Sequence, residues 1–233
     1  MANRKVVAIV SGGLDSVTMA YDLVNRNYEI TLISYNYGQR HKKEIEYAQK
    51  CAENLSVQHH IVDLLEVSNL LSGSSLTSEE ISVPDGHYAE ESMRITVVPN
   101  RNAIMINIAA ALAVSKGCDF VATGVHGGDH YIYPDCRPEY ISAQSEVLRL
   151  ANAGFVSEEF SVLAPFVNIS KDGIVKIGDG LGVPWLDTWS CYKGGEIHCG
   201  SCGTCFERRE AFVLANVADP TSYEITPTFL DPR

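Results

Sequence analysis

Apolar runs alternate along the chain with helical stripes, the pattern of strands joined by crossover helices. Residues 6–10 read Val-Val-Ala-Ile-Val, a continuous run typical of a strand buried on both faces of a parallel sheet. Further strands are predicted at 30–35, 57–62 and 120–123, and helices at 15–25, 42–54, 101–116, 143–153, 171–180 and 204–217. This alternation predicts an α/β fold, a doubly wound and mainly parallel sheet with helices on both faces.

The stretch from 64 to 98 interrupts the alternation. It is rich in Ser and Glu and has no sustained periodicity. A loop this long inside a compact domain is typical of a lid, a binding excursion or a disordered segment. Further along, Thr204 and Glu207 have the spacing of a capping box, which predicts that Thr204 is the N-cap of the last helix. We expect one α/β domain over 1–185 and a small C-terminal segment over 186–233, packed as part of the same unit.

Composition narrows the class of protein. A hydrophobic fraction of 45% and a charged fraction of 20% over 233 residues are ordinary for a globular protein and exclude wholesale disorder. The longest apolar run, 103–114, contains Asn107 and is too short to span a bilayer, and the first residues lack the features of a signal peptide. We expect a cytoplasmic protein with no membrane partner. The net charge of −11 argues against a nucleic-acid partner, which requires a basic surface.

A glycine turn follows the first predicted strand and opens the first predicted helix. It reads Ser11-Gly12-Gly13-Leu14-Asp15-Ser16. Two glycines permit a sharp turn and a close approach to an anion, while the helix N-terminus presents unpaired N–H groups to the same point. The segment lacks the Lys of a Walker A loop and the three spaced glycines of a dinucleotide fingerprint. A pyrophosphate-binding turn is therefore favoured over a tight turn without a ligand.

Four of the seven cysteines lie within fifteen residues, at Cys191, Cys199, Cys202 and Cys205. In a reducing compartment this spacing favours a tetrahedral four-thiolate metal site over disulfides. We expect structural zinc with four protein ligands and no open position. An iron–sulfur cluster is the alternative, although the fourth Cys-Pro of the ferredoxin pattern is missing. Free thiols are a further alternative. The other three cysteines are interpreted as packing residues.

Polar and basic side chains collect where strands end and helices begin. The segment 124–137 follows the fourth predicted strand and contains acids, an arginine and tyrosines that suit a flat, polar ring. The candidate substrate-binding residues there are Asp129, Tyr131, Tyr133, Asp135 and Arg137. Arg101 and Lys171 each begin a helix, where anions bind readily, and Arg40 lies in the densest basic stretch of the chain, 37–43. Solvated surface positions are the alternative for all of these residues.

Motifs along nearly the whole chain are similar to those of one protein family. The glycine turn resembles the loop of the ATP pyrophosphatase superfamily, whose members split ATP into AMP and pyrophosphate while adenylating a substrate. Within it the chain resembles the 7-cyano-7-deazaguanine synthases of queuosine biosynthesis. The matching segments are Tyr-Gly-Gln-Arg-His (37–41), Pro-Asn-Arg-Asn (99–102), Tyr-Pro-Asp-Cys-Arg-Pro-Glu (133–139), Thr-Trp-Ser-Cys-Tyr (188–192) and His-Cys-Gly-x-Cys-x-x-Cys (198–205). A departure occurs in Val-His-Gly-Gly (125–128), where the family more often has Asn or another polar residue.

The resemblance implies a nitrogen–carbon ligase. It would convert 7-carboxy-7-deazaguanine and ammonia into the nitrile through two adenylations, each consuming one ATP, and Mg²⁺ is expected with the nucleotide. The residues expected to bind ATP are Val10, Ser11, Gly12, Gly13, Leu14, Asp15, Ser16 and Arg40. Those expected to be catalytic are Ser11, Asp15, Ser16, Arg101 and Lys171. The family also implies a homodimer, and the chain contains no glutaminase segment, so free ammonia is expected.

Two other classes of function are compatible with parts of the pattern. A tRNA-thiolating ATP pyrophosphatase would share the glycine turn but would need a basic RNA-binding surface. A non-catalytic nucleotide-binding module stabilised by zinc would share both the turn and the cysteines. Turnover of ATP that depends on the deazaguanine acid and on ammonium distinguishes the ligase from both.

Overall fold

The fold is a five-stranded parallel sheet. The computed structural model describes residues 3–39, 43–68, 83, 85, 86 and 96–228. The strand order is β3-β2-β1-β4-β5, and every pairing in it is parallel. The strands are β1 (Lys5–Ile9), β2 (Glu29–Asn36), β3 (His59–Asp63), β4 (Phe120–Ala122) and β5 (Ser161–Leu163).

Helices connect the strands and cover both faces of the sheet. They are α1 (Leu14–Asn25), α2 (Lys43–Leu55), α3 (Leu65–Ser68), α4 (Arg101–Lys116), α5 (Pro138–Ala151), α6 (Lys171–Gly180) and α7 (Gly203–Ala215). Val6 and Ala8 of β1 point into a core formed with α1, α2, α6 and α7. Val7, between them, points into the opposite core, formed with α4 and α5. The predicted doubly wound sheet is confirmed.

The register of the central strand follows from this double burial. Val6 pairs with Ile30 of β2 on one side and with Phe120 of β4 on the other. A strand whose alternate residues both enter cores must be apolar throughout, which is why β1 was readable from sequence. Among the described residues, no helix is long and apolar enough to cross a membrane.

Several predicted boundaries need correction. β5 was not predicted, because three residues carry too little pattern to be distinguished from a loop. α5 begins at Pro138 rather than 143, since Pro is well placed in a first helical turn. The N-cap of α7 is Cys202, so the capping box at Thr204 is wrong. The loop expected at 64–98 lies largely outside the described residues.

The C-terminal segment is packed against the sheet domain. Ala211 and Phe212 of α7 are buried in the same core as Val6, and Phe212 meets Trp185 edge-on, with the ring centroids 5.2 Å apart. The division into an α/β domain over 1–185 and a segment over 186–233 stays a prediction.

Candidate functional site

A cavity of about 240 Å³ lies at the carboxyl ends of β1, β2 and β4. The strand order reverses between β1 and β4, because the chain proceeds outward from β1 in one direction and later returns to its other side. Open α/β sheets bind ligands at such a switch point. Gly124, just after β4, allows a close approach here, since a Cβ on it would lie 3.0 Å from the Cα of Ser16.

The glycine turn forms one wall of this cavity. Gly13 is the N-cap of α1 in an extended conformation, so the first amides of the helix face the cavity. The turn is held by its two serines: the Ser11 N–H donates to Ser16 Oγ at 3.1 Å, and Ser16 Oγ donates to the Gly13 carbonyl at 3.2 Å. An anion placed there would meet fixed N–H groups and the positive end of the helix dipole.

Gly12 was expected to bind the nucleotide, but in the structure it packs against α2. Its φ is +84°, and a Cβ would lie 2.3 Å from the Glu44 carbonyl oxygen and 2.8 Å from the Ala48 nitrogen. The residue is required for the close packing of α2 behind the turn. It does not line the cavity as described, whereas Val10, Ser11, Gly13, Leu14, Asp15 and Ser16 do.

Lys171, the first residue of α6, lies between two carboxylates. Its Nζ is 3.0 Å from Asp15 Oδ2 and 2.7 Å from Glu207 Oε2. The three side chains belong to α6, the glycine turn and α7, and each is largely buried. Charges brought together away from water interact strongly, so this arrangement favours a protonated lysine beside an ionised Asp15.

The pKa values in this group are set by a competition between burial and attraction. Burial would lower the pKa of Lys171, but Asp15 and Glu207 raise it above its ordinary value. Burial would raise the pKa of Asp15, but Lys171 and His126 lower it below the usual range. For Glu207 burial dominates, and the pKa is raised. The pair of Lys171 and Asp15 is therefore charged at neutral pH.

His126 follows β4 and completes this group. Its side chain is 2% exposed, and its Nε2 lies 3.6 Å from Asp129 Oδ2, 3.9 Å from Asp15 Oδ2 and 4.0 Å from Glu207 Oε1. The Gly128 N–H donates to Nδ1 at 3.1 Å. Nδ1 is therefore an acceptor, and Nε2 lies 3.4 Å from Lys171 Nζ as well as near the three carboxylates.

The opposite side of the cavity is aromatic and cationic. The Arg101 guanidinium lies over the Tyr37 ring, 5.9 Å from its centroid, and Tyr133 and Tyr192 line the same region. Burial raises the pKa of Tyr37 and of Tyr192, so both phenols stay neutral. A planar aromatic ligand with an anionic group would find stacking surfaces and a fixed cation here.

Glu44, near the start of α2, also faces this aromatic region. Burial raises the pKa of its carboxyl to about 7, although Arg101 acts in the opposite direction. A carboxyl that titrates near neutrality inside a cavity can accept or release a proton there.

The structure brings together most of the residues singled out from sequence. Those that line the cavity include Asp15, Arg101, Asp129, Tyr133 and Lys171. Three proposed substrate residues lie elsewhere among the described residues: Tyr131 is 67% exposed, Arg137 donates to the His130 carbonyl at 3.0 Å, and Asp135 does not line the cavity. Arg40 lies outside the described residues. The binding roles of all of them stay predictions.

Several cavity residues were missed from sequence. Glu44 and His126 line the cavity, and Glu207 lies beside it, bonded to Lys171. From sequence, Glu207 was assigned to a capping box, Glu44 was not singled out, and His126 was noted only within a stretch that departs from the family pattern. Only His126 carried a usable signal, since it lies four residues after β4, in a segment at the carboxyl edge of the sheet. Trp189 and Tyr192 also line the cavity and flank Cys191 in sequence.

The four clustered cysteines converge on one point. Their Sγ atoms all lie within 4.8 Å of one another, with Cys202 and Cys205 3.5 Å apart and Cys199 and Cys205 3.9 Å apart. A tetrahedral zinc site with Zn–S bonds of about 2.3 Å places its sulfurs about 3.8 Å apart. The backbone N–H groups of Ser201 and Cys202 both donate to Cys199 Sγ at 3.4 Å. This donor set fits a thiolate-bound metal ion.

The cysteine segment is fastened to the cavity wall. The Trp189 N–H donates to the Gly12 carbonyl at 2.9 Å. Lys43 Nζ donates to the carbonyls of Gly195 and Glu196 at 2.7 and 3.0 Å and lies over the Trp189 ring. Lys43, from the basic stretch at 37–43, therefore holds the cysteine loop instead of facing the cavity.

Solved structures share the fold at low sequence identity. NMN synthetase from Francisella tularensis matches with a TM-score of 0.51 and 16% identity, over 93% of this chain and 79% of that one. The U34-tRNA thiolase NcsA from Methanococcus maripaludis, solved with its 4Fe–4S cluster, matches with a TM-score of 0.51 and 19% identity, over 93% and 66%. These likenesses concern the fold alone.

Curated relatives are far more similar. A 7-cyano-7-deazaguanine synthase from Rhizobium johnstonii is 56% identical over 220 residues, which cover 94% of this chain and 92% of the relative. A 7-cyano-7-deazaguanine synthase 1 from Mesorhizobium japonicum is 56% identical over 218 residues, covering 94% and 93%. The family model described as queuosine biosynthesis protein QueC matches residues 5–216. The chain belongs to the QueC family.

Proposed function

We propose that the protein is an ATP-dependent ligase that converts 7-carboxy-7-deazaguanine and ammonia into 7-cyano-7-deazaguanine for queuosine biosynthesis. The observation that carries this proposal is the 56% identity, over 94% of the chain, to a protein of that name. The cavity supports it independently, because the glycine turn, Arg101 and the tyrosines Tyr37, Tyr133 and Tyr192 line one space.

The reaction proceeds through two adenylations. The substrate carboxylate attacks the α-phosphate of ATP and releases pyrophosphate, giving an acyl adenylate. Ammonia adds to the acyl carbon and displaces AMP to give the amide, and one proton is lost. The amide oxygen then attacks a second ATP, and loss of AMP with the remaining amide protons leaves the nitrile. Two ATP are converted to two AMP and two pyrophosphates for each product.

The glycine turn is suited to the nucleotide. We assign ATP binding to Val10, Ser11, Gly13, Leu14, Asp15 and Ser16, which line the cavity. Gly12 supports the turn through its packing. Arg40, predicted for the same task, lies outside the described residues. The catalytic groups are Ser11, Asp15 and Ser16 in the turn, with Lys171 and Arg101 as cations that neutralise charge at the phosphates and at the substrate carboxylate.

The deazaguanine ring is assigned to the aromatic wall. Asp129 and Tyr133 line the cavity as expected for substrate-binding residues. Tyr131, Asp135 and Arg137 were predicted alongside them, but their positions off the cavity support a contribution to the shape of the loop at 124–137 and not direct contact with the ring. Tyr37 and Tyr192 replace them as candidates for stacking.

Two metal ions are part of this proposal. The four cysteines would hold structural zinc, because their sulfur spacing suits a tetrahedral ion with no open position. Asp15 would help to position Mg²⁺ beside ATP: its Oδ1 is buried and accepts no hydrogen bond from any described residue. Such an oxygen suits a hard cation, which neutralises developing phosphate charge.

The test is a reconstituted reaction. Protein, 7-carboxy-7-deazaguanine, ATP, Mg²⁺ and ammonium are incubated without any RNA, and the nitrile, AMP and pyrophosphate are measured. We expect about two AMP per nitrile, and Ser11→Ala with Asp15→Ala should abolish turnover. Failure of the metal-replete protein to make nitrile would contradict the proposal, and ATP turnover that requires tRNA would favour a tRNA-modifying enzyme.

The metal is tested separately by elemental analysis and absorption. We expect about one zinc per chain and no visible absorption band. Cys202→Ser should reduce the zinc content, whereas Cys118→Ser, at a cysteine outside the cluster, should not. Visible absorption with bound iron would instead identify an iron–sulfur cluster.

The assembly is proposed from family resemblance. We place the protein in the cytoplasm as a homodimer that acts without a nucleic-acid partner. Sedimentation equilibrium of the purified protein should give twice the chain mass of 25.5 kDa. A monomer at micromolar concentration would contradict the dimer.

A further inference from the structure

Glu207, on α7, lies beside the cavity and is bonded to Lys171, which lines it. Its side chain is 12% exposed, and its Oε2 accepts a hydrogen bond from Lys171 Nζ at 2.7 Å, the shortest of the lysine's described contacts. The other end of the carboxylate, Oε1, lies 4.0 Å from His126 Nε2. Neither nucleotide binding nor the metal site, as described above, uses this residue.

The position of Glu207 is fixed by the cysteine cluster. α7 begins at Gly203, and Cys205 points into the cluster. Residues two apart on a helix face nearly opposite directions, so Glu207 projects away from the sulfurs and toward α6. α6 and α7 are in contact, and the hydrogen bond from Lys171 Nζ to Glu207 joins the first residue of α6 to the N-terminal half of α7.

The pair differs from an ordinary surface ion pair. Exposed pairs contribute little because water competes for both charges, but Lys171 is 15% exposed and Glu207 is 12% exposed. Lys171 is also bonded to Asp15 on the glycine turn. The lysine is thus held between the glycine turn and α7. Without these two contacts its long side chain would be free to adopt other rotamers.

We propose that Glu207 is a positioning residue that holds the ammonium group of Lys171 at the glycine turn, so that the cysteine segment completes the adenylation site. This proposal rests on the proposed function, because the lysine is held for ATP. Glu207 acts through Lys171 and touches neither substrate nor phosphate. If Asp15 held Mg²⁺ beside ATP, Glu207 would still accept a hydrogen bond from Lys171 and keep the lysine in place.

The first test is a double-mutant cycle on steady-state kinetics. We expect Glu207→Gln to lower kcat by about 10- to 100-fold while KM for the deazaguanine acid changes by less than about twofold. In a Lys171→Ala background the same change should have little further effect, since the two residues act as one unit. Equal fold-losses in both backgrounds would overturn the proposal.

Control variants separate positioning from folding. Glu210→Gln, one turn further along α7, should retain wild-type kinetics. Glu207→Asp keeps the charge and should recover part of kcat. Zinc content and thermal midpoint should be unchanged in Glu207→Gln, and a loss of kcat that follows loss of zinc would overturn the proposal.

The second test does not depend on turnover. In wild-type protein the Lys171 ammonium, held by two carboxylates, should give an observable Nζ resonance, assigned by its disappearance in Lys171→Arg. Glu207→Gln should abolish or broaden this resonance, and Glu210→Gln should preserve it. Persistence of an unchanged signal in Glu207→Gln would overturn the proposal, even if the protein makes no nitrile. Absence of nitrile with the expected signal loss would contradict the proposed function alone.

Discussion

The glycine turn requires a residue without a Cβ at position 12. Alanine at this position would combine a left-handed φ of +84° with a Cβ 2.3 Å from the Glu44 carbonyl oxygen. We expect Gly12→Ala to lower the free energy of unfolding by about 3 kcal/mol or more, through strain and overpacking together.

Gly117 provides the matched control for this change. It also has a left-handed φ, +63°, but a Cβ there would have no neighbour within 4 Å. Gly117→Ala should therefore cost only about 1 kcal/mol, the conformational part alone. Urea unfolding of both variants measures the difference, and equal losses would contradict the packing role assigned to Gly12.

Glu44 should make stability depend on pH. Burial raises its folded pKa from 4.5 to about 7, so between these values the unfolded chain has released a proton that the folded chain retains. Stability therefore falls as pH rises through this window. Glu44→Gln removes this term, and its stability relative to wild type should increase by about 1 to 3 kcal/mol from about pH 5 to about pH 8.

The measurement is urea unfolding of both proteins at the two pH values. Glu46→Gln, an exposed change on the same helix, should not alter the difference from wild type between them. A Glu44→Gln protein whose stability follows that of wild type at both pH values would contradict the raised pKa.

Positions at the cavity were predictable where the local sequence pattern determines them. Ser11, Asp15 and Lys171 were found because a turn or a helix start identifies anion-binding positions without knowledge of the fold. Glu207 could not be identified in this way, because only its ion pair with Lys171, a residue distant in sequence, places it beside the cavity. Its spacing to Thr204 matched the capping-box pattern, but the structure has Cys202 and not Thr204 as the N-cap of α7.

At the scale of elements, Arg208 joins the end of the chain to the loop before the cysteines. The residue is fully buried, and its guanidinium donates to Thr221 Oγ1, Thr188 Oγ1 and the Trp185 carbonyl at 2.8, 2.9 and 3.1 Å. Lysine cannot reproduce this fork of donors. We expect Arg208→Lys to destabilise the protein by about 2 to 4 kcal/mol, because acceptors are left unpaired.

Arg209 is the control for this prediction. Its side chain is 32% exposed and lies 4.0 Å from Asp219, so Arg209→Lys should change the free energy of unfolding by less than about 0.5 kcal/mol. Chemical denaturation of both variants tests the expectation. Similar effects at both positions would show that the buried network contributes nothing specific.

Elements with a long or continuous pattern were predicted to within a few residues. α4 and α6 have the predicted bounds, and β1 is displaced by one residue. β5 was missed because it has only three residues. Its pairing with β4, which the sequence pattern does not reveal, is what defines it as a strand. The start of α7 was displaced because the cysteine cluster, and not a side-chain cap, determines where the helix begins.

At the scale of the whole molecule, sheet and C-terminal segment share one core. Phe212 of α7 is buried with residues of β1, α1 and α6. We therefore expect a single calorimetric transition, with equal calorimetric and van't Hoff enthalpies in the metal-replete protein. A separate early transition, lost on addition of chelator, would show that the segment at 186–233 unfolds independently.

The sheet order also determines when the active cavity can exist during synthesis. The glycine turn leaves the ribosome early, but its neighbour β4 follows much later, then Lys171, and Glu207 later still. A growing chain therefore exposes the glycine turn well before Lys171 and Glu207 are available to pair beside it. The group of charged side chains around Asp15 can therefore assemble only after α7, the last helix among the described residues, has been synthesised.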